Sequence, residues 1–136
     1  MCQQVPSPQH SSLKVLVVDD TRLLRWSMTR LLEQLGHRCW TATNGYEGWQ
    51  VAKSCRPDLV VTDLEMPIWN GFKLIRALRN GSPGDLGRVP VIVCSSRRDN
   101  LHLLHAMELG ADAFVTKPLR VFELKLAIEN SRPSTG

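Results

Sequence analysis

Short apolar segments alternate with amphipathic segments along most of the chain. Five short segments, most of them strongly apolar, are predicted to form strands, and they are residues 13–18, 38–42, 59–62, 91–94 and 113–115. Each is followed by a stretch with apolar residues at helical spacing, and these stretches are residues 21–35, 44–54, 72–78, 100–109 and 121–129. Strands that alternate with helices in this way predict a parallel sheet with both faces covered.

Residues that usually begin or end helices lie at the boundaries of these segments. Asn44 is a suitable N-cap for the second helix, while Gly36 and Gly110 follow the first and fourth helices. Residues 80–88 are rich in Gly and Pro and are predicted to form a loop. Because right-handed crossovers leave few topologies, we predict an α/β, flavodoxin-like (βα)5 fold with helices on both faces of a five-stranded parallel sheet of order 2-1-3-4-5.

The length of 136 residues suits one domain. We predict a flexible N-terminal tail over residues 1–12, a domain over residues 13–130 and a C-terminal tail over residues 131–136. No apolar run approaches the roughly 18 residues of a membrane span, and the polar N-terminus does not resemble a signal peptide. A cytoplasmic protein without membrane contact is therefore expected. The start at Met1 slightly favours a complete protein over a piece of a hybrid kinase or longer regulator.

The distribution of basic residues and the spacing of the cysteines favour some classes of function over others, although they exclude few. The net charge of +4 comes from basic residues scattered along the chain, which indicates a solvated surface rather than a nucleic-acid site. The four cysteines show no CxxC spacing. Reduced, structural cysteines are therefore favoured over a metal site or a disulfide framework.

Polar residues follow four of the predicted strands and should meet at one edge of the sheet. They are Asp19 and Asp20, Asp63, Ser95 and Lys117. Three crowded carboxylates repel one another unless a cation lies between them, and oxygen ligands suit Mg²⁺. A carboxylate beside such an ion can attack a phosphoryl group, whose oxygens a lysine and a hydroxyl can then hold. The alternative for Asp20 is a purely structural role as the N-cap of the first helix.

Four motifs carry a resemblance to a known family. They are VLVVDD with Arg25 five residues later, LVVTDLEMP followed by NG, PVIVCSS, and GADAFVTKP. In this order and spacing they resemble the receiver domain of two-component response regulators, over about residues 13–129. The resemblance implies a phospho-accepting switch that is not an enzyme beyond gaining and losing its own phosphoryl group.

The resemblance assigns a role to each polar residue. Asp63 is expected to accept a phosphoryl group from a partner histidine kinase or histidine phosphotransfer protein. Mg²⁺ is expected to be held by Asp19, Asp20, Asp63 and the backbone carbonyl of Glu65. Lys117 is expected to pair with the phosphoryl oxygens, with a cis peptide bond before Pro118.

Ser95 and Phe114 are expected to act as the switch, because they match the family's hydroxyl and aromatic positions. Phe114 lacks the hydroxyl of the commoner tyrosine. Output is expected through protein contacts at the face of the fourth helix, fifth strand and fifth helix, with no direct nucleic-acid contact and with the target unknown. Phe122 and Ala127 stand where DNA-binding relatives often carry arginines. Glu65 and Arg97 are expected to face each other over the mouth of the site and to slow loss of the phosphoryl group.

Two alternatives remain open at the level of sequence. A haloacid-dehalogenase-type phosphotransferase or hydrolase also uses a strand-end aspartate with Mg²⁺, and the DLE of Asp63 to Glu65 faintly resembles its paired-aspartate motif. A phosphate-independent scaffold with a receiver fold is the second alternative. The five polar residues at the strand ends speak against it.

Overall fold

The computed structural model describes residues 12–81, 84–96 and 100–131. The predicted tails lie largely outside these ranges. Five strands are present in them, namely β1 (Lys14–Val18), β2 (Arg38–Ala42), β3 (Leu59–Thr62), β4 (Val91–Ser95) and β5 (Ala113–Thr116). The α-helices in the same ranges are α1 (Arg22–Gln34), α2 (Gly45–Cys55), α3 (Gly71–Gly81), α4 (Asn100–Leu109) and α5 (Val121–Ser131).

The five strands form one parallel sheet in the order β2-β1-β3-β4-β5, which confirms the predicted fold and topology. Alternate residues of each central strand point to opposite faces, as the pleat requires. On β1, Leu16 and Val18 join the core under α2, α3 and α4, while Val15 and Val17 join the core under α1 and α5. Because both faces of the central strands are covered, β1, β3 and β4 are almost continuously apolar.

Helix boundaries follow the predicted residues at three places, since Gly110 follows α4 with φ 119° and the other two are Asn44 and Gly36. Asn44 caps α2 by accepting a hydrogen bond from the Glu47 amide at 2.9 Å. Gly36 follows α1 with φ 96°, in the left-handed region that glycine adopts easily. The peptide bond between Lys117 and Pro118 is cis, as the resemblance implied.

The segment between α3 and β4 differs from the prediction. Helix α3 ends at Gly81 rather than near Leu78, and a 3-10 helix spans Gly84–Arg88 where a loop was expected. The Asn80–Gly81 pair, which favours a turn, is instead accommodated in the last turn of α3. Packing explains the difference, since Leu78 and Leu86 are buried on the same side of the sheet.

The side chain of Arg79 fixes this segment to the edge of the sheet at which the strands begin. Its guanidinium donates hydrogen bonds to the backbone carbonyls of Gly110 (2.7 and 3.1 Å), Val89 (2.8 Å) and Gly87 (3.2 Å). It also forms a 3.0 Å ion pair with Asp112, whose carboxylate accepts the amide hydrogen of Val91 at 2.8 Å. One side chain therefore joins α3, the approach to β4 and the approach to β5.

We expect Arg79→Ala to lower the free energy of unfolding by about 2–3 kcal/mol, because several backbone carbonyls lose a charged donor. Arg76→Ala is the matched control, since Arg76 is exposed one turn earlier on the same helix. That change should alter stability by no more than about 0.5 kcal/mol. Urea unfolding of the two variants measures both values, and equal losses would contradict the assigned role of Arg79.

Candidate functional site

An ion pair at the carboxyl edge of the sheet joins the ends of three strands. The Lys117 ammonium lies 3.0 Å from Asp19 Oδ2 and 3.0 Å from Asp63 Oδ2. Asp19 follows β1, Asp63 follows β3 and Lys117 follows β5. All three side chains are largely buried, with 9 to 13% of their surface exposed. The structure thus brings together these three residues of the predicted site.

Asp63 is held by backbone groups on each side. Its own amide donates to the Val18 carbonyl at 3.0 Å, which continues the pairing of β1 with β3. Its Oδ1 accepts the Leu64 amide at 2.6 Å and more weakly the Glu65 amide at 3.4 Å. One carboxylate oxygen is therefore held by the loop after β3, while the other faces Lys117.

Asp19 is fixed in a similar way. Its amide donates to the Ala42 carbonyl, and its Oδ1 accepts the Thr21 amide at 2.8 Å. The Arg25 guanidinium donates to the Asp19 backbone carbonyl at 2.8 Å. These contacts tie the start of α1 to the end of β1. The Thr21 amide could not be predicted as a donor from sequence, because it is a backbone group.

The N-cap alternative for Asp20 is wrong, because Thr21 occupies the N-cap position of α1. Asp20 is exposed, whereas Asp19 is buried. Oxygen atoms of Asp19, Asp20 and Asp63 all lie within 4.8 Å of one another. These three carboxylates outnumber the Lys117 ammonium, and the Arg25 guanidinium, which contacts the Asp19 backbone carbonyl, offsets part of the remaining negative charge. An all-oxygen donor set with this charge fits a hard divalent cation such as Mg²⁺.

For both Asp63 and Lys117, burial and nearby charges shift the pKa in opposite directions. Burial raises the pKa of the Asp63 carboxyl above its ordinary value, and the nearby Lys117 ammonium only partly offsets this. Burial alone would lower the pKa of Lys117. The hydrogen bond to Asp19 and the charge of Asp63 outweigh burial, so the pKa of Lys117 is raised. The lysine therefore stays protonated in the neutral pH range, as a group that pairs with anionic oxygens must.

A cysteine also lies close to this edge but is not a competing nucleophile. Burial raises the pKa of the Cys94 thiol to about 12, and that of the Cys39 thiol to about 11. The reactive thiolate is therefore scarce at both positions at neutral pH. Cys39, Cys55 and Cys94 are free thiols. The structural role expected for the cysteines stays a prediction.

The remaining predicted residues surround this centre, and of these Glu65 contacts Asp63 through the backbone amide described above. Ser95 is the last residue of β4 and is 2% exposed, and its carbonyl accepts the Lys117 amide at 3.0 Å. Phe114 lies on β5, opposite Val93, and 45% of its surface is exposed. Glu65 is exposed in the loop after Asp63. Arg97 and Arg98 lie outside the described residues, so the expected pairing of Glu65 with Arg97 stays a prediction.

The backbone at the start of α3 packs closely against the loop that follows β3. The Gly71 amide donates to the Leu64 carbonyl at 2.9 Å. A Cβ atom on Gly71 would overlap the backbone carbonyl of Asp63 and would lie 2.9 Å from the Leu64 Cα atom. Only glycine therefore allows α3 to begin this close to Asp63, a requirement that the family-like loop motif indicated but did not explain.

Comparison with known proteins identifies the family to which this architecture belongs. The model of the response regulator receiver domain matches residues 15–129, which is most of the chain. This match favours the receiver over the haloacid-dehalogenase-type alternative. Within the described residues, no helix combines the length and apolar character needed to cross a membrane.

Individual relatives differ in length. A protein-glutamate methylesterase/protein-glutamine glutaminase of Geobacter sulfurreducens is 39% identical over 79% of this chain, which spans 28% of that protein. The protein PilH of Pseudomonas aeruginosa is 31% identical over 78% of this chain, which spans 86% of that protein. A chemotaxis protein of Vibrio cholerae has the same fold, with a TM-score of 0.81 at 24% identity over 89% of this chain and 99% of its own.

We expect Gly71→Ala to destabilise the domain by about 2 kcal/mol or more, because the loop that carries Asp63 has to move. Gly81→Ala is the matched control at the other end of α3. There, the added methyl group would meet only the Trp49 ring at 3.8 Å, which is ordinary contact. The control should be neutral or more stable by up to about 1 kcal/mol. Thermal unfolding of both variants tests this, and similar losses would show that the position of the glycine is unimportant.

Proposed function

We propose a phosphorylation switch centred on Asp63 for this chain, which belongs to the response regulator receiver domain family of two-component signal transduction. The phosphoryl donor is a phosphohistidine on a partner histidine kinase or histidine phosphotransfer protein in the cytoplasm. The observation that carries the proposal is the Lys117 ammonium, 3.0 Å from both Asp19 and Asp63. A cation buried at this point is placed to hold phosphoryl oxygens on Asp63.

The transfer step follows from the position of the acceptor carboxylate. An oxygen of Asp63 forms a bond to phosphorus as the P–N bond of the phosphohistidine breaks. The electron pair of that bond goes to the imidazole, which leaves neutral when its other nitrogen carries a proton. Because the Asp63 carboxylate is held by the Leu64 amide and by Lys117, little rearrangement is needed before it attacks. The product is an acyl phosphate on Asp63.

Mg²⁺ is proposed as the cofactor of this step. The carboxylates of Asp19, Asp20 and Asp63, together with the backbone carbonyl of Glu65, would hold it. When bound, it supplies positive charge that offsets the three carboxylates and the incoming phosphoryl group. Asp20, the exposed member of the cluster, lets the ion exchange with solvent, while Asp19 stays fixed by Thr21 and Arg25.

Ser95 and Phe114 are proposed to pass the signal on. Ser95 would donate a hydrogen bond to the phosphoryl group, and Phe114 would turn from its half-exposed position toward the space that this movement opens. The surface around Phe114 offers apolar contacts to a protein target. Among the described residues, the exposed large apolar side chains on α4 and α5 are Leu101, Leu104, Met107, Val121, Phe122 and Leu126. Output is therefore proposed to occur by protein contact at the face formed by α4, β5 and α5.

Incubation with acetyl phosphate and Mg²⁺ should add one phosphoryl group per chain, located at Asp63. Intact-mass spectrometry followed by peptide mapping measures this. Asp63→Asn should abolish the label. Asp85→Asn, an exposed aspartate in the 3-10 helix before β4, should leave it unchanged. Labelling of Asp63→Asn at the level of the wild type would refute the assignment of Asp63. A wild type that takes no label would favour the scaffold alternative. Continuous hydrolysis of the donor would favour a phosphatase.

Asp20→Asn should weaken Mg²⁺ binding without unfolding the domain, because one of three crowded carboxylates loses its charge. Without Mg²⁺, the variant should melt at the wild-type temperature or slightly above it. Its increase in melting temperature with added Mg²⁺ should be much smaller than that of the wild type. Asp85→Asn should keep the full increase. An Mg²⁺-induced increase in Asp20→Asn equal to that of the wild type would exclude Asp20 as a ligand.

A further inference from the structure

A groove of about 520 Å³ runs between α3 and α4, outside the phosphorylation site. It is lined by Asn70, Phe72, Lys73 and Arg76 from the start of α3 and by Leu101, His102 and His105 from α4. None of these residues belongs to the Asp63 centre. The groove is open to solvent along its length, so it suits an extended chain segment better than an enclosed small molecule, which would need burial on most sides.

The ionisable side chains among the described residues that line this groove are of the basic type. Lys73 and Arg76 are exposed one turn apart on α3, and the imidazoles of His102 and His105 face them from α4. No carboxylate occurs among the described residues that line the groove. Both helices also begin at this end, so the positive ends of their dipoles add to the field of the side chains. A ligand with several negative charges is therefore favoured here.

Aromatic and aliphatic groups lie between the charges. The Phe72 ring packs against His105, with ring centroids 4.9 Å apart, and lies 6.0 Å from His102. The Lys73 ammonium lies 4.9 Å from the centroid of the Trp69 ring, which limits the directions in which the lysine can point. At the rim of the groove, Leu101 is 76% exposed. An apolar side chain of the ligand can thus pack on Phe72 and Leu101 while its neighbours reach the basic groups.

We propose that this α3–α4 groove binds an acidic peptide segment of a partner protein, with one apolar or aromatic side chain as its anchor. The carboxylates of the segment pair with Lys73 and Arg76 and accept hydrogen bonds from the imidazoles of His102 and His105. A peptide is favoured over nucleic acid because two of the four basic groups are imidazoles packed on an aromatic ring, whereas nucleic-acid sites depend on dense Lys and Arg. This binding does not depend on phosphorylation of Asp63.

Fluorescence anisotropy at low salt tests the proposal with the unphosphorylated full chain. The probe is a fluorescein-labelled, glutamate-rich peptide with one central phenylalanine, and its control carries glutamine in place of each glutamate. The wild type should bind the acidic probe, and the glutamine peptide should bind at least about tenfold more weakly. The double variant K73Q/R76Q should lose about tenfold in affinity for the acidic probe, since two exposed charge pairs are removed.

A matched double variant separates a local site from the effect of net charge. R22Q/R30Q removes the same charge from exposed positions on α1 and should bind the acidic probe like the wild type. The conservative variant K73R/R76K should also retain binding. Equal losses in the two glutamine variants, or equal binding of the two peptides, would overturn the proposal. Stronger binding of a labelled single-stranded oligonucleotide with the same sensitivity to K73Q/R76Q would identify nucleic acid as the ligand instead.

Discussion

The arrangement of this domain depends on the largely buried ammonium of Lys117, which lies between two carboxylates. Lys117 reaches from the end of β5 across β4 to contact Asp63 after β3 and Asp19 after β1. The contact links residues 98 positions apart in the sequence, so it forms only when the sheet is assembled in this order. Because all three groups are largely buried, loss of one partner would leave an uncompensated charge away from water, which is costly. The strand order and the charge pattern therefore require each other.

The ion pair of Lys117 with Asp19 and Asp63 also explains the close fit of the backbone around the two carboxylates. The Asp63 carboxylate satisfies the Leu64 amide, and the Asp19 carboxylate satisfies the Thr21 amide. Each carboxylate thus has one oxygen held by its own loop and one oxygen directed at Lys117. Such a division fixes the direction of both carboxylates before any ligand arrives, and it needs α3 to begin at a glycine so that the loop can close.

Sequence was sufficient for the parts of the fold that depend on hydrophobic pattern and capping. The strands, their order and the Asn44 cap follow from local residues, and the meeting of Asp19, Asp63 and Lys117 follows from the rule that parallel strands end at one edge. Contacts made by long side chains or by backbone groups were not predictable in this way. The role of Arg79 and the extension of α3 to Gly81 belong to this class. The backbone of Ile68 was equally unpredictable from sequence, since it has φ 69° although β-branched residues rarely adopt the left-handed region.

The two edges of the sheet carry similar ionic groups, but the charges at the two edges are balanced to different degrees. Where the strands begin, the Arg79 guanidinium meets three backbone carbonyls and Asp112, and that carboxylate is in turn satisfied by the Val91 amide. Each of these described groups is thus paired with a partner of opposite hydrogen-bonding character or charge. Where the strands end, one ammonium faces three carboxylates, and negative charge is left over. Repulsion among these carboxylates is unfavourable, and a divalent cation held by them would offset it. The unbalanced negative charge is thus concentrated at the edge where the carboxyl ends of the strands meet.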